Sequence, residues 1–162
     1  MTKPNTRIFT GNEVATIAQN NELFNSLNIR YIGIKDANKL NKLLIKCNTE
    51  YNSMINEIGK IITQQNEELI NNNPNHAELL KKFATIRHDL TACNKFIHEH
   101  KELEFLVPTM EEHMKKIVEI QEEIGKKTYE FSYTINNDNS QKAIEDKGLT
   151  LKDIAHLLFL FD

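Results

Sequence analysis

The stretch FIHEHKELEF, residues 96–105, places two histidines among glutamates and could in principle bind a metal ion. On a helix, residues two apart lie about 200° around the axis, so His98 and His100 cannot hold one ion together. Side chains four apart do meet, which pairs His98 with Glu102 and His100 with Glu104. The candidate metal ligands are these four residues and a histidine on the next predicted helix: His98, His100, Glu102, Glu104 and His113.

The spacing of these residues differs from that of known metal centres in helical bundles. Such centres use Glu-x-x-His on two helices with further carboxylates, and the chain contains neither Glu-x-x-His nor His-x-x-x-His. The sequence therefore favours a polar helix face with one half-buried histidine, and we expect no cofactor. A bundle that binds a metal or a small ligand through residues around 98–113 is the alternative function.

The chain has two cysteines, Cys47 and Cys93, which provide neither a disulfide framework nor a zinc-binding spacing. Cys47 is predicted to share a layer with His100, and a thiol beside an imidazole can become a nucleophile. Both residues occupy apolar positions of a helical repeat, however, and no third catalytic group is evident. The sequence thus predicts a non-enzymatic protein.

Two long apolar repeats flank Pro74. Both repeats alternate steps of four and three. The first contains Leu40, Leu44, Cys47, Tyr51, Met54, Ile58, Ile61 and Gln65, and the second contains Leu79, Phe83, Ile86, Leu90, Cys93, Ile97 and His100. Such a repeat is typical of helices packed side by side. We predict two helices folded back around Pro74, with shared layers such as Ile58 with Leu90, Ile61 with Ile86, and Gln65 with Phe83.

Helix boundaries follow from capping residues and proline. Thr10 with Glu13 forms a capping box for a first helix over about 11–27. Pro108 is predicted to end the third helix, and a fourth then runs from Thr109 to about Ile135. The predicted fold class is all-α: an elongated up-and-down antiparallel bundle of three long helices with shorter N- and C-terminal helices. We expect one domain over 1–162, with 1–10 flexible.

Composition narrows the function classes. The chain has 162 residues, 27% of them charged, and a formal charge of −3, which argues against a nucleic-acid partner because phosphate binding requires concentrated positive charge. The N-terminus does not resemble a signal peptide. The longest apolar run, LLFLF, is too short to span a membrane. We expect a cytoplasmic protein, with export without a cleaved signal peptide as the alternative.

The predicted last helix, about 150–162, carries more apolar surface than one helix face needs. A helix that is apolar on several sides must be buried on several sides, either within its own bundle or against another protein. The predicted partner-binding residues are Ile154, Leu157, Leu158, Phe159, Leu160 and Phe161. The sequence therefore favours a protein–protein interaction module, such as an adaptor, chaperone or effector, that binds a protein partner or forms a homodimer.

The run KGLTLKDIAHLL, residues 147–158, resembles the helix that follows the wing in mercury-resistance-type transcription regulators. The resemblance implies a DNA-binding regulator as a further alternative. In that family a basic recognition helix precedes the run, whereas none precedes it here. The resemblance covers about twelve of the 162 residues, and no functional residue is carried over from it.

Overall fold

The computed structural model describes residues 6–25 and 34–132. Within these ranges the chain is mainly α-helical, which confirms the predicted class. A two-stranded sheet and two short 3₁₀ turns, Pro74–His76 and Lys101–Leu103, accompany the helices. The elements are β1 (Thr6–Thr10), α1 (Gly11–Gln19), α2 (Asn21–Asn25), α3 (Ile34–Asn72), α4 (Ala77–Ile86), α5 (Leu90–Glu99), α6 (Leu106–Lys126) and β2 (Thr128–Ser132).

Helix α3 is the longest element, at 39 residues, and it agrees with the predicted second helix. It ends at Asn72, where the backbone N–H of Asn73 donates to the carbonyl of Ile70 and the Asn73 side chain donates to the carbonyl of Leu69. These bonds satisfy carbonyls that have no partner inside the helix. Pro74 then opens a 3₁₀ turn, as its fixed φ and missing N–H favour.

The predicted third long helix is wrong, because the segment forms two separate ten-residue helices, α4 and α5. Asp89 interrupts the helix with extended backbone, and its carboxylate accepts a hydrogen bond from the N–H of Ala92. This N-cap begins the new helix α5. Leu90, predicted to lie in a layer with Ile58, is instead 70% exposed.

The predicted helix end at Pro108 is also wrong. Helix α5 ends at Glu99, a 3₁₀ turn places the fully buried Leu103 in the core, and α6 already begins at Leu106. Pro108 is the third residue of α6, where backbone N–H groups have no partner inside the helix and proline is tolerated. Proline therefore does not end the preceding helix, and Leu103 and Leu106, which lie between Glu99 and Pro108, are both fully buried.

The predicted fourth helix extends too far. Helix α6 ends at Lys126, and Thr128–Ser132 form strand β2, which pairs antiparallel with β1. Phe9 lies opposite Tyr129 in this register, and the rings of Phe9 and Phe131 lie 5.7 Å apart. Strand β1 thus occupies residues 6–10, within the stretch that we expected to be flexible.

The described residues fall into two compact units. The first comprises those within 1–54 and 123–162, and its core contains Phe9, Val14, Ile17, Leu43, Cys47, Ile124 and Phe131. Gly11 lies against the backbone of Ile124, and its N–H donates to the carbonyl of Lys127 at 2.7 Å. The capping box predicted for α1 is confirmed, with Thr10 and Glu13 exchanging hydrogen bonds.

The second unit comprises residues 55–122. Its core is a cluster of four buried leucines with partly buried apolar neighbours: Leu69, Leu80, Leu103 and Leu106, with Ile70, Leu79, Phe96 and Met110 around them. Leu69 and Leu80 lie on either side of the Pro74 turn, so α3 and α4 pack together next to it. Whether 1–162 forms one domain stays a prediction from the sequence.

Several predicted features lie outside the described residues. These are the last helix with the partner-binding residues Ile154, Leu157, Leu158, Phe159, Leu160 and Phe161, and the segment that resembles a regulator helix. Among the residues that are described, no helix combines the length and the apolar character needed to cross a membrane.

Candidate functional site

A groove of about 500 Å³ lies in the second unit, between α5 and the first half of α6. Its volume is within the range of about 300–1,000 Å³ typical of small-molecule sites. It is lined mainly by apolar and sulfur-containing side chains, with a few polar ones at its edge: Phe83, Arg87, His88, Leu90, Cys93, Asn94, Ile97, Val107, Met110, Glu111 and Met114.

The spacing of the apolar residues on the two helices explains why they face one groove. Leu90, Cys93 and Ile97 follow steps of three and four on α5, and Val107, Met110 and Met114 do the same on α6. Residues at these steps lie on one side of a helix. Two apolar faces therefore border the same space.

Part of this apolar surface is open to solvent. Leu90 is 70% exposed and Met114 is 45% exposed, and Val107 is exposed to a similar degree. Methionine is flexible and polarisable, and it is common on surfaces that adapt to different partners. The groove can thus accommodate apolar side chains from another molecule.

Arg87 connects the groove to a half-buried polar cluster. Its Nη1 donates to Oδ1 of Asn66 at 2.6 Å, and its Nη2 donates to Oε1 of Gln65 at 2.6 Å. Nη2 also lies 3.2 Å from Nδ1 of His113. The pKa of Arg87 is lowered, chiefly by burial, yet a guanidinium stays charged at any ordinary pH.

Among the residues that the structure describes, the partners of Arg87 are all neutral. Within the described residues, no carboxylate is bonded to it. A partly desolvated charge without an opposite charge is unfavourable, so a carboxylate from outside would bind well here. Gln65 is only 4% exposed, and its Nε2 has no hydrogen-bond partner in the described part of the chain.

His113 must accept a hydrogen bond from Arg87. A guanidinium has only donors, so Nδ1 of His113 is unprotonated and its proton sits on Nε2. The pKa of His113 is lowered, first by burial and then by the positive charge of Arg87. The imidazole is therefore neutral near pH 7.

The histidines and glutamates at 98–104 are arranged differently from the prediction. Helix α5 ends at Glu99, and His100 has left the helix with its ring 4.5 Å from that of Phe96. The expected i, i+4 pairs therefore do not form, and Nδ1 of His100 instead lies 3.7 Å from Oε1 of Glu102.

The metal-ligand candidates do not form a cluster. Across 6–25 and 34–132, no three His, Cys, Asp or Glu side chains come together in a way that could hold a metal ion. His113 belongs to the cluster around Arg87 instead. Of the candidate ligands, the structure thus brings His100 close to Glu102 and places His113 beside Arg87.

The two cysteines are free and buried. Burial raises the pKa of Cys47 to about 12, with a further contribution from Glu50. The pKa of Cys93 is also raised, mainly by burial, and its Sγ lies 3.5 Å from the carbonyl of Ile86. Neither thiol has the depressed pKa that activates a cysteine nucleophile.

A second groove, of about 470 Å³, lies in the first unit, between α3 and β2. Lysines and apolar residues line it: Lys39, Lys42, Leu43, Ile45, Lys46, Phe131 and Ser132. Nζ of Lys46 lies 5.6 Å from the centre of the Phe131 ring. Lys39, Lys42 and Lys46 give this groove a basic side. No buried polar group accompanies them among the described residues that line the groove.

No protein-family model, no curated protein and no solved structure matches this chain. The functional argument therefore depends on the groove and on the polar cluster beside it.

Proposed function

We propose that this protein is a non-enzymatic interaction module that binds an apolar helical segment of a protein in the groove between α5 and α6. The observation that carries the proposal is the combination of exposed apolar side chains, led by Leu90 and Met114, with a half-buried Arg87 whose partners within the described residues are all neutral. An adaptor, chaperone or effector role in the cytoplasm, as predicted from the sequence, is part of this proposal.

The chemistry of the groove favours a helix as its occupant. Its two apolar rows each extend over two helical turns, or about 10 Å of helix. An amphipathic helix presents apolar side chains over such a length and satisfies its own backbone hydrogen bonds. A small polar substrate would find few partners in the groove, because its lining is mostly aliphatic, aromatic and sulfur-containing.

Matched charge substitutions test the proposal. Met114→Glu places a carboxylate in the groove, whereas Val118→Glu places one on α6 outside it, and the two native side chains are exposed to nearly the same extent, 45% and 46%. Leu90→Glu adds a second groove variant, and a glutamate is well tolerated in the first turn of α5.

Affinity capture from cells that express the protein, followed by measurement of Kd with the purified partner, provides the readout. We expect both groove variants to weaken binding at least about tenfold, because an apolar occupant would remove water from the introduced carboxylate. Val118→Glu should bind like the wild type. Equal binding by all four proteins, with unchanged circular dichroism spectra, would contradict the proposed function.

A further inference from the structure

The groove has one basic end. Arg87 and His88 line it just before α5 begins, next to Leu90. Because Arg87 also contacts His113, which adjoins Met114 on α6, Leu90 and Met114 lie at the same end. Ile97 lies two helical turns away from Leu90, about 10 Å along α5. A bound segment therefore experiences positive charge at one end only.

Glu111 adds a second constraint on the occupant. It lines the groove one helical turn before Met114, so an acidic side chain along the middle of a bound segment would be repelled. An acid at the end beside Arg87 would instead find a guanidinium that is bonded to Gln65, Asn66 and His113 but to no carboxylate in the described residues. The favoured occupant is an apolar run that ends in one acid.

The chain itself contains such a run. Residues 157–161 read LLFLF, which is the longest uninterrupted apolar run in the sequence, and Asp162 follows it directly. As a helix, five residues would extend over about 7.5 Å, which fits within two turns of the groove. Asp162 is the only acidic side chain in this segment, and the residue before the run, His156, is not an acid.

We propose that the groove binds residues 157–162 of a second copy of this chain, with Asp162 paired to Arg87. This inference rests on the proposed function and names its partner. Since each copy has both the groove and the segment, a reciprocal exchange between two copies forms a closed twofold dimer in which both apolar surfaces are covered. The dimer predicted from the sequence follows from the same contact.

Two charge reversals test the pairing between chains. Arg87→Glu should repel Asp162, and Asp162→Lys should repel Arg87, so each variant alone is expected to weaken dimerisation at least about tenfold. In an equimolar mixture, the introduced glutamate of one variant faces the introduced lysine of the other, and the two native side chains, Arg87 and Asp162, face each other across the second contact. Analytical ultracentrifugation should therefore detect a dimer in the mixture and predominantly monomer in each variant alone.

The outcomes separate the two proposals. A wild type that is monomeric at its highest soluble concentration, or folded single variants that dimerise like the wild type, would overturn the second-copy assignment. If Arg87→Glu fails to fold, Leu90→Glu replaces it, and an unchanged dimer in that variant is equally decisive. Groove-dependent binding of a different protein by a monomeric wild type would leave the proposed function standing and remove only this inference.

Discussion

Arg87 donates a hydrogen bond to Nδ1 of His113, 3.2 Å away, and this contact joins the residue that follows α4 to a residue of α6. The contact requires a neutral imidazole, because a doubly protonated ring has no acceptor and would place two positive charges together. The position of Arg87 at the edge of the groove therefore depends on the protonation state of the His113 ring.

The first prediction concerns the pH dependence of stability. Since the pKa of His113 is lowered from 6.5, the folded state binds fewer protons than the unfolded state, and stability falls as pH decreases below about 6.5. Glu68 and Glu112 partly offset this effect, whereas Lys116 adds to it. Urea titrations at pH 7.5 and pH 5 should reveal a larger loss in the wild type than in His113→Asn.

The asparagine variant is a suitable control because its side-chain oxygen can accept the same hydrogen bond from Arg87 but does not titrate. Identical pH dependence in the two proteins would mean that His113 is not protonated during the acid destabilisation. A similar free energy of unfolding for both at pH 7.5 would indicate that the acceptor has been preserved.

The second prediction concerns Gln65, which offers one accepting oxygen to Arg87 and leaves its Nε2 without a partner in the described residues. Gln65→Glu should increase the free energy of unfolding by about 1 kcal/mol, because it removes the unpaired donor and makes the bond to Arg87 charge-assisted. Gln65→Leu should lower it by about 1–3 kcal/mol, since Arg87 loses an acceptor.

Chemical denaturation of the two variants measures these changes in the free energy of unfolding. Because the two expected changes have opposite signs, the result is specific to the contact with Arg87. If both substitutions destabilise the protein equally, desolvation of the carboxylate outweighs the pairing. Gln65→Glu also supplies Arg87 with a carboxylate from within the chain, so binding in the groove should weaken.

The sequence correctly predicts structural features that depend on residues close together along the chain. The Thr10–Glu13 capping box, the long helix α3 and the turn at Pro74 were all predicted correctly, because each depends on side chains within a few positions of one another. Burial of Gln65 and Phe83 also agrees with the predicted apolar repeat.

The wrong helix predictions concern segments whose sequence contains two competing patterns of secondary structure. The apolar repeat continues past Arg87, and this continuity favours one long helix. Asp89, however, is a good N-cap, and it does begin the separate helix α5. Ile124 and Phe131 are seven residues apart, which suits a helix, but TYEFS also alternates as a strand, and pairing with β1 decides between the two.

Arg87 is the residue that sequence reasoning missed. Its partners Gln65, Asn66 and His113 lie 21 to 26 residues away on other helices. Hydrogen bonds between an arginine and neutral side chains follow no spacing rule along the chain. Only the packing of α3, α4 and α6 brings these residues together.

The third prediction compares two glycines. A Cβ on Gly11 would overlap the backbone carbonyl of Ile124, whereas a Cβ on Gly59 would meet no atom within 4 Å. Gly11→Ala should therefore lower the free energy of unfolding by about 1–3 kcal/mol, as in other overpacked sites. Gly59→Ala, in the interior of α3, should increase it by about 0.5–1 kcal/mol.

Thermal and urea unfolding of both variants measure these changes, and Gly125→Ala provides an intermediate case. Its added Cβ would meet the side chain of Asn12 rather than backbone, and that side chain can move. A Gly11→Ala protein as stable as the wild type would mean that the start of α1 and the end of α6 do not approach as closely as described.

The fourth prediction concerns the reactivity of the two thiols. Cys47 is completely buried with a pKa of about 12, so at pH 8 very little of it is thiolate, and modification requires local opening of the first unit. Cys93 lines the groove of the second unit, and its labelling needs only small movements of neighbouring side chains. We therefore expect a thiol reagent to label Cys93 faster.

Single-cysteine variants, Cys47→Ala and Cys93→Ala, allow each rate to be measured separately. Labelling of Cys93 should slow as protein concentration increases if a second copy covers the groove, whereas the rate at Cys47 should follow only the stability of the first unit. A rate at Cys93 that is independent of concentration in a dimer would place the dimer contact elsewhere on the surface, because a groove that stays open in the dimer cannot be the site that the second copy covers.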